Sequence, residues 1–347
     1  MSAQSRANSF DDPSVPHPAR RYNYLLGGRE NYRADRASGD AIAAAMPTIR
    51  LSIQENRAFL RRVVRFMADE GIRQFIDIGP GIPAPDCTHE VAQAIAPETR
   101  VVYVDNDPVV IAYSRALLRN NAIPEDTESD DGSVVTLELP PFDQEHPAFA
   151  PNEDPASQPV SLPTPTPTSL PASLPDSQPT AVPTSQHTSP PTDEDPPRKG
   201  LIGHVLADLC DADRILRNAE TRAVIDFAQP VGLLLVAVAH FCMDDETVYP
   251  AVASLIAALP PGSLVAFTHA VADYVDPKTV TRVDHAHADH KSDFRWRRTF
   301  ECKRFADGLE LIDPGLVPVE EWRAEHEPQP RPTRADVGIC AWVARKP

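Results

Sequence analysis

The sequence predicts a doubly wound α/β sheet, mostly parallel with an antiparallel edge strand. Three observations carry that prediction. Apolar runs of strand length alternate with segments of helical period. The first run, Phe75 to Pro83 (FIDIGPGIP), ends in a glycine turn, and the second, Val101 to Pro108 (VVYVDNDP), ends in Asp105. A strand ending in glycines lets backbone N–H groups approach a ligand closely, and a carboxylate at the tip of the next strand accepts hydrogen bonds from a ribose diol. Together they make half of a Rossmann-like nucleotide site.

Composition narrows the chemistry before any other motif is read. Of 347 residues, 41% are hydrophobic, enough for a sizeable core, but 38 are proline and crowd into one stretch, so the folded part is shorter than the chain. A net charge of -17 argues against a nucleic acid or an anionic membrane as partner, because both bind through phosphate neutralisation. The five cysteines are far apart, form no C-x-x-C pair and are odd in number. They suggest neither a disulfide framework nor a zinc knuckle, and a cytoplasmic location is expected. The N-terminus lacks the apolar core of a signal peptide, and the longest apolar run, Val231 to Ala239, is too short to span a bilayer.

Residues 1–18 are polar and proline-containing, and disorder is expected there. The first half of the folded domain is assigned to 19–120. It opens with RRYNYLLGGRENYRADR, which by itself reads as a helix cap with an aromatic anchor, a lid over a ligand being the alternative. Between Ser52 and Glu70, Ile53, Phe59, Leu60, Val63, Val64, Phe66 and Met67 recur at helical spacing, and Gly71 stands where the helix should stop. Arg61, Arg62 and Arg65 on that helix read as a solvated face. The first strand is expected over Gln74 to Ile78, a helix over Thr88 to Ala96, a strand over Arg100 to Val104 and a helix over Pro108 to Asn120. This spacing suits a strand–helix–strand crossover.

Residues 121–199 are acidic at first and then rich in Pro, Ser and Thr, a composition that predicts a disordered insertion; only Ser133 to Leu139 could pair as a strand. The second half of the domain is assigned to 200–347. HVLADLCD supplies a third strand ending near Asp208, followed by a helix over Asp211 to Arg217. Val231 to Phe241 is apolar enough for a central strand buried on both faces. A helix over Val248 to Leu259, a strand SLVAFTHA, a polar stretch and a helix over Arg297 to Asp307 follow. Leu309 to Val319 and Val337 to Ala344 read as two closing strands, giving about seven in all.

The motif DIGPGIP lacks the third glycine of a dinucleotide fingerprint, having Ala84 there, and carries Asp77 before the turn. The missing glycine and the added carboxylate point from NAD toward S-adenosylmethionine, whose ammonium and sulfonium are cationic. Asp105 suits either cofactor, whereas Asp208 at the end of strand three fits the methyl donor better. Any one of these acids could be a helix cap. Three at successive strand ends make that account strained.

With those residues in view, the chain resembles class I S-adenosylmethionine-dependent methyltransferases, and more closely a bacterial family of them first catalogued as a domain of unknown function. The resemblance is carried by RYNYLLGGRENY (Arg21 to Tyr32), ENRAFLRRVVRFMADEGIRQFIDIGPGIP (Glu55 to Pro83), VVYVDNDPVV, VLADLCD, LLLVAVAHF and FADGLELIDPGLVPVEEW (Phe305 to Trp322). It implies that Asp77, Gly79 and Gly81 contact the methionine part of S-adenosylmethionine, that Asp105, with Asn106 beside it, meets the ribose, and that Asp208 and Leu209 meet the adenine. It also shifts the N-terminal segment toward the lid, with Tyr22, Tyr24, Gly27, Gly28 and Asn31 on the active-site cover. Pro80 and Pro83 depart from a flexible glycine turn by removing two N–H donors.

Methyl transfer is an in-line displacement that needs orientation and sometimes a general base. His240 after the fourth strand and His269 in the fifth stand where open α/β sheets place their chemistry, and they are the candidate catalytic residues. In DHAHADH, His285 and Asp289 lie one helical turn apart, but a polar loop accounts for them and no metal is expected. The expected function is methyl transfer to a small-molecule acceptor. A non-catalytic donor-binding sensor or scaffold is the alternative, and an NAD-dependent oxidoreductase the next.

Overall fold

The computed structural model describes residues 12–117 and 200–347. The insertion, the Ser133 to Leu139 strand, the first eleven residues of the expected disordered tail and the expected helix beyond Leu117 lie outside them. Eight strands form one sheet: β1 (Gln74–Ile78), β2 (Arg100–Asp105), β3 (Ile202–Leu206), β4 (Gly232–Val236), β5 (Leu264–Ala270), β6 (Glu310–Leu311), β7 (Val317–Pro318) and β8 (Ile339–Arg345). The order is β3-β2-β1-β4-β5-β8-β6, with β7 also on β8. β1 to β5 run parallel, and β8 is antiparallel to β5.

Side-chain alternation divides the core between the two faces of this sheet. Leu233 and Leu235 of β4 and Val265 and Phe267 of β5 join one apolar layer, while Leu234, Leu264 and Ala266 join the other. Each strand is therefore apolar on both sides, as a parallel strand covered by helices must be. The helices are α1 (Pro18–Leu25), α2 (Arg33–Ala45), α3 (Ile49–Asp69), α4 (Thr88–Gln93), α5 (Pro108–Leu117), α6 (Ala212–Arg217), α7 (Ala219–Val224), α8 (Asp245–Ala258), α9 (Pro277–Asp289), α10 (Thr299–Arg304) and α11 (Arg334–Val337). On α3, Phe59, Val63, Val64 and Met67 are fully buried against the second layer. On α8, Val248, Val252 and Leu255 cover the first. No helix among the described residues is long and apolar enough to cross a membrane.

Several elements depart from the sequence expectation. Residues 12–17, expected to be disordered, make a turn closed by Val15 N–H to Asp12 O (3.1 Å) and end in His17, which caps α1. The Ala-rich stretch after the tyrosines is a helix, α2, whose Ile42, with Met46 just after it, packs with Val283 and Ala286 of α9. The expected strand over Leu309 to Val319 survives only as β6 and β7, because Pro314 offers no N–H and Gly315 turns at φ +84°. Arg62 is not solvated: its guanidinium donates to Trp322 O (2.9 Å) and Val319 O (2.8 Å) and pairs with Glu327 (2.9 Å). It ties α3 to the chain beyond β7.

Beyond β7 the carboxyl of Glu320 is fully buried, and neither oxygen has a hydrogen-bond partner among the described residues. Burial pushes it up to about 7, with Glu321 and Glu55 adding to the rise. Its folded value lies above its unfolded one, so its contribution to stability is complete below about pH 4.5 and lost as pH rises through about 7. Glu320→Gln is expected to flatten this slope and to raise stability at pH 8 by about 2 kcal/mol. Urea melts at pH 5 and pH 8 check it, and a parent protein equally stable at both would refute it.

Candidate functional site

The chain passes outward from β1 in both directions, to β2 and β3 on one side and to β4 and β5 on the other. The loops leaving β1 and β4 therefore part and open a crevice at the strand ends. Asp77, Gly79, Gly81, Asp105, Asn106, Asp208 and Leu209 all line this one cleft. Gly79 has φ +73°, and a Cβ there would lie 2.6 Å from Val238 Cγ2 of the loop after β4. Only glycine lets the two loops close together. Its N–H bonds to Val104 O at 2.8 Å, while the Gly81 N–H bonds to Asp105 Oδ2 at 3.2 Å. The glycine turn is thus fastened to the end of β2.

Asp105 also accepts the Asp107 N–H through Oδ1 (2.9 Å). Burial pushes Asp105 up to about 6, opposed chiefly by His17 and the Asp107 N–H. Burial likewise pushes Asp77 up to about 6, opposed by the Thr88 hydroxyl, which donates to it at 2.6 Å. Asp208 is braced on both oxygens, by the Cys210 N–H (2.8 Å) and by Asn106 Nδ2 (2.9 Å), which links the ends of β2 and β3. Each carboxylate keeps lone pairs free for a ligand.

The wall opposite the glycine turn comes from α1. His17, Pro18, Ala19 and Tyr22 line the cleft, with the Tyr22 hydroxyl bonded to Ile53 O (3.2 Å) and Asn56 Nδ2 (3.3 Å). Tyr24, Gly27, Gly28 and Asn31 do not reach it. Tyr24 donates to Asp40 (2.7 Å), and Asn31 bonds to Asn23 and to Gly28 O (3.0 Å each). A Cβ on Gly28 would collide with the Asn23 side chain at 2.3 Å. The GG turn is a closed structural unit that sets the end of α1.

Neither histidine lines the cleft. His269 is fully buried, with Nε2 against the Arg297 guanidinium (2.8 Å) and Nδ1 against Ala270 O (2.7 Å). Arginine can only donate, so Nδ1 carries the proton and both nitrogens are engaged. His240 is buried beside Phe241, Phe294 and His269, and its Nδ1 has no partner among the described residues. Burial, with the Arg297 and Arg21 guanidinium groups adding to it, holds it well below the usual histidine range. It is a neutral imidazole one residue from Phe241, which does line the cleft.

Sequence reading missed His17, Asn56, Arg57 and Asp107. Asp107 caps α5 through Val109 N–H (2.9 Å) and meets His17 (3.0 Å) and Arg20 (3.4 Å). Burial raises its carboxyl, but His17, Arg20 and the Val109 N–H beside it outweigh that and hold the group below the usual range. The Asp-Pro at 107–108 was the available signal for the cap; its partners some 90 positions away on α1 left none. Among the described residues, donor atoms close enough to share a metal ion occur in Cys87/His89/Glu90 and Asp208/Cys210/Cys242, and DHAHADH contributes to neither group.

A family model described as S-adenosyl methyltransferase matches residues 4–130 and 192–347. Two crystal structures are similar over nearly the whole chain. A DUF574 family protein from Streptomyces avermitilis shares 30% identity, with 97% of this chain and 99% of that one covered and a TM-score of 0.69. A candidate methyltransferase from Thermobifida fusca shares 28%, with 96% of each chain covered and a TM-score of 0.68. No curated protein matches the chain.

Proposed function

Because the chain belongs to the S-adenosyl methyltransferase family and takes S-adenosylmethionine as its methyl donor, we propose that the cleft holds this donor and delivers its methyl group to a small-molecule acceptor. One observation supports this above the others: carboxylates from the ends of three successive strands, Asp77, Asp105 and Asp208, meet a glycine turn in a single cleft. In this arrangement Asp77 and the turn hold the cationic methionine end, Asp105 takes the ribose hydroxyls, and Asn106, Asp208 and Leu209 border the adenine. The bound donor supplies a methyl group on an electrophilic sulfonium, so the protein's part is to orient the acceptor and receive its proton.

The net charge of -17 supports a small acceptor over a nucleic acid. The five free cysteines support a cytoplasmic location. Of the two histidines, only His240 keeps a nitrogen, Nδ1, without a partner among the described residues, which favours it as the one that meets the acceptor. His240→Ala is expected to abolish turnover while leaving donor binding intact, and unchanged turnover would remove it from the mechanism.

A thermal-shift panel with S-adenosylmethionine, S-adenosylhomocysteine, NAD and NADP tests the donor site. At a hundred times its dissociation constant, either methionine compound should stabilise the protein by about 2.7 kcal/mol. Asp105→Ala should lose most of that shift. A response to the nicotinamide compounds alone would defeat the assignment.

A further inference from the structure

We propose that Arg21 and His240 anchor an anionic group, a carboxylate or a phosphate, on the methyl acceptor. This rests on the methyl-transfer function above and names the class of acceptor. Arg21 projects from α1, the helix whose Pro18, Ala19 and Tyr22 wall the donor cleft. Its side chain is only 4% exposed. One nitrogen, Nη1, donates to Ser38 Oγ of α2 (3.2 Å) and Ser292 Oγ after α9 (2.8 Å). The other two, Nε and Nη2, have no partner among the described residues, and no carboxylate pairs with the guanidinium there.

A buried guanidinium held by two hydroxyls is an incomplete arrangement. Burying a cation costs several kcal/mol unless an anion and further hydrogen bonds offset it. Neighbouring Arg20 shows the complete form, paired with Asp35 (3.1 Å) and Asp107 (3.4 Å). Arg21 instead keeps a two-nitrogen edge available, the geometry that receives a carboxylate or phosphate in bidentate fashion.

The surrounding groups favour an anion as well. His240 and His287 are both buried and feel the Arg21 charge, and burial keeps each imidazole neutral. His287 is engaged with Ser292 (3.3 Å) and stacked on Phe294 at 4.4 Å. His240 presents the Nδ1 that lacks a partner among the described residues. A neutral imidazole can donate one further hydrogen bond to an anion without adding charge. Phe294 and Phe241, 6.3 Å apart, supply apolar walls, and Phe241 also faces the donor cleft. An acceptor anchored at Arg21 is thereby held on the side of the cleft that Phe241 lines, its apolar part against the edge-to-face pair of phenylalanines.

Benzoate, phenyl phosphate and neutral benzamide, titrated by calorimetry into the full-length protein with and without S-adenosylhomocysteine, test the assignment. Wild type should bind benzoate or phenyl phosphate at least tenfold more tightly than benzamide, and the tighter of the two names the group. Arg21→Gln should abolish that preference while leaving the affinity for S-adenosylhomocysteine unchanged. If Arg21→Gln does not fold, Arg21→Lys keeps the charge, loses the fork, and should still weaken anion binding at least fivefold. Equal binding of benzoate and benzamide by wild type overturns the proposal. So does anion binding that is undiminished in the folded Arg21 variant, or a variant that loses S-adenosylhomocysteine in proportion. Failure of S-adenosylhomocysteine to bind wild type counts against the donor site alone, because the anion titration is read without it as well.

Discussion

Replacing Arg297 with methionine is expected to lower stability by about 3–5 kcal/mol, the range for breaking a buried, hydrogen-bonded ion pair. The guanidinium is buried to 1% exposure and uses all three nitrogens. Nε and Nη2 donate to Asp245 Oδ1 (3.1 and 2.8 Å), Nη1 to Ala239 O (2.9 Å) and His269 Nε2 (2.8 Å), and Nη2 also to Cys242 O (3.0 Å). Methionine fills the volume but leaves the Cys242 carbonyl and the His269 Nε2 without a donor, each costing about 1–3 kcal/mol, while Ala239 O keeps the Cys242 N–H at 3.2 Å. Asp245 is less affected, since it is partly exposed and keeps Arg295 at 2.6 Å.

The same substitution should reach the ligand. Ala239 and Cys242 belong to the loop after β4, which carries Val238 against Gly79 and Phe241 into the cleft. Once the loop is released, affinity for S-adenosylhomocysteine should fall together with stability. Arg297→Lys should recover part of the charge pairing but not the fork, and so lie between the two. Equilibrium urea unfolding measures the first effect, and a loss below about 1 kcal/mol would show that the network is dispensable.

Much of this site could be read from the sequence because its signals are local. A five-residue apolar strand, a glycine turn and an acid at the next strand tip are each visible in a short window, and the chain sets them side by side through parallel pairing of β1 with β2. The parts that escaped are long-range. Nothing in a window around Arg297 announces Asp245, 52 positions away, or His269, 28 away. Likewise Arg62 looks like one of three solvated arginines until the chain after β7 folds back over α3. The tyrosine-rich N-terminal segment shows a third limit: by itself it reads as a helix cap and by family resemblance as a cover, but Tyr22 faces the cleft and Tyr24 faces α2, a difference set by helix rotation. His269 illustrates the same point for chemistry, since its place on a strand tip fits a catalytic role while its hydrogen bonds leave it no free nitrogen.

Donor affinity is expected to rise about tenfold to a hundredfold between pH 5 and pH 7 and to level off above it, as each carboxylate with a value near 6 goes from about one-tenth to nine-tenths ionised. Burial pushes Asp77 and Asp105 up to about 6 in the ligand-free protein, so both hold protons through much of this window. A protonated Asp77 cannot neutralise an ammonium group, and a protonated Asp105 is a poorer acceptor for a ribose diol. Donor binding must therefore release protons below about pH 7, and by linkage its affinity strengthens as pH rises. One ionisation accounts for about a tenfold change and two for about a hundredfold, so the size of the effect reports how many of the carboxylates the ligand engages in charged form. Asp77→Asn should remove one decade of the dependence, and because the amide stays neutral at every pH its affinity should sit near the acidic limit of the parent. Calorimetric titration of S-adenosylhomocysteine at pH 5, 6 and 7 in buffers of different ionisation enthalpy measures both the affinity and the protons released. A flat profile with no proton release would mean that neither carboxylate meets the ligand as an anion, and Asp77 would have to be removed from the methionine end of the site.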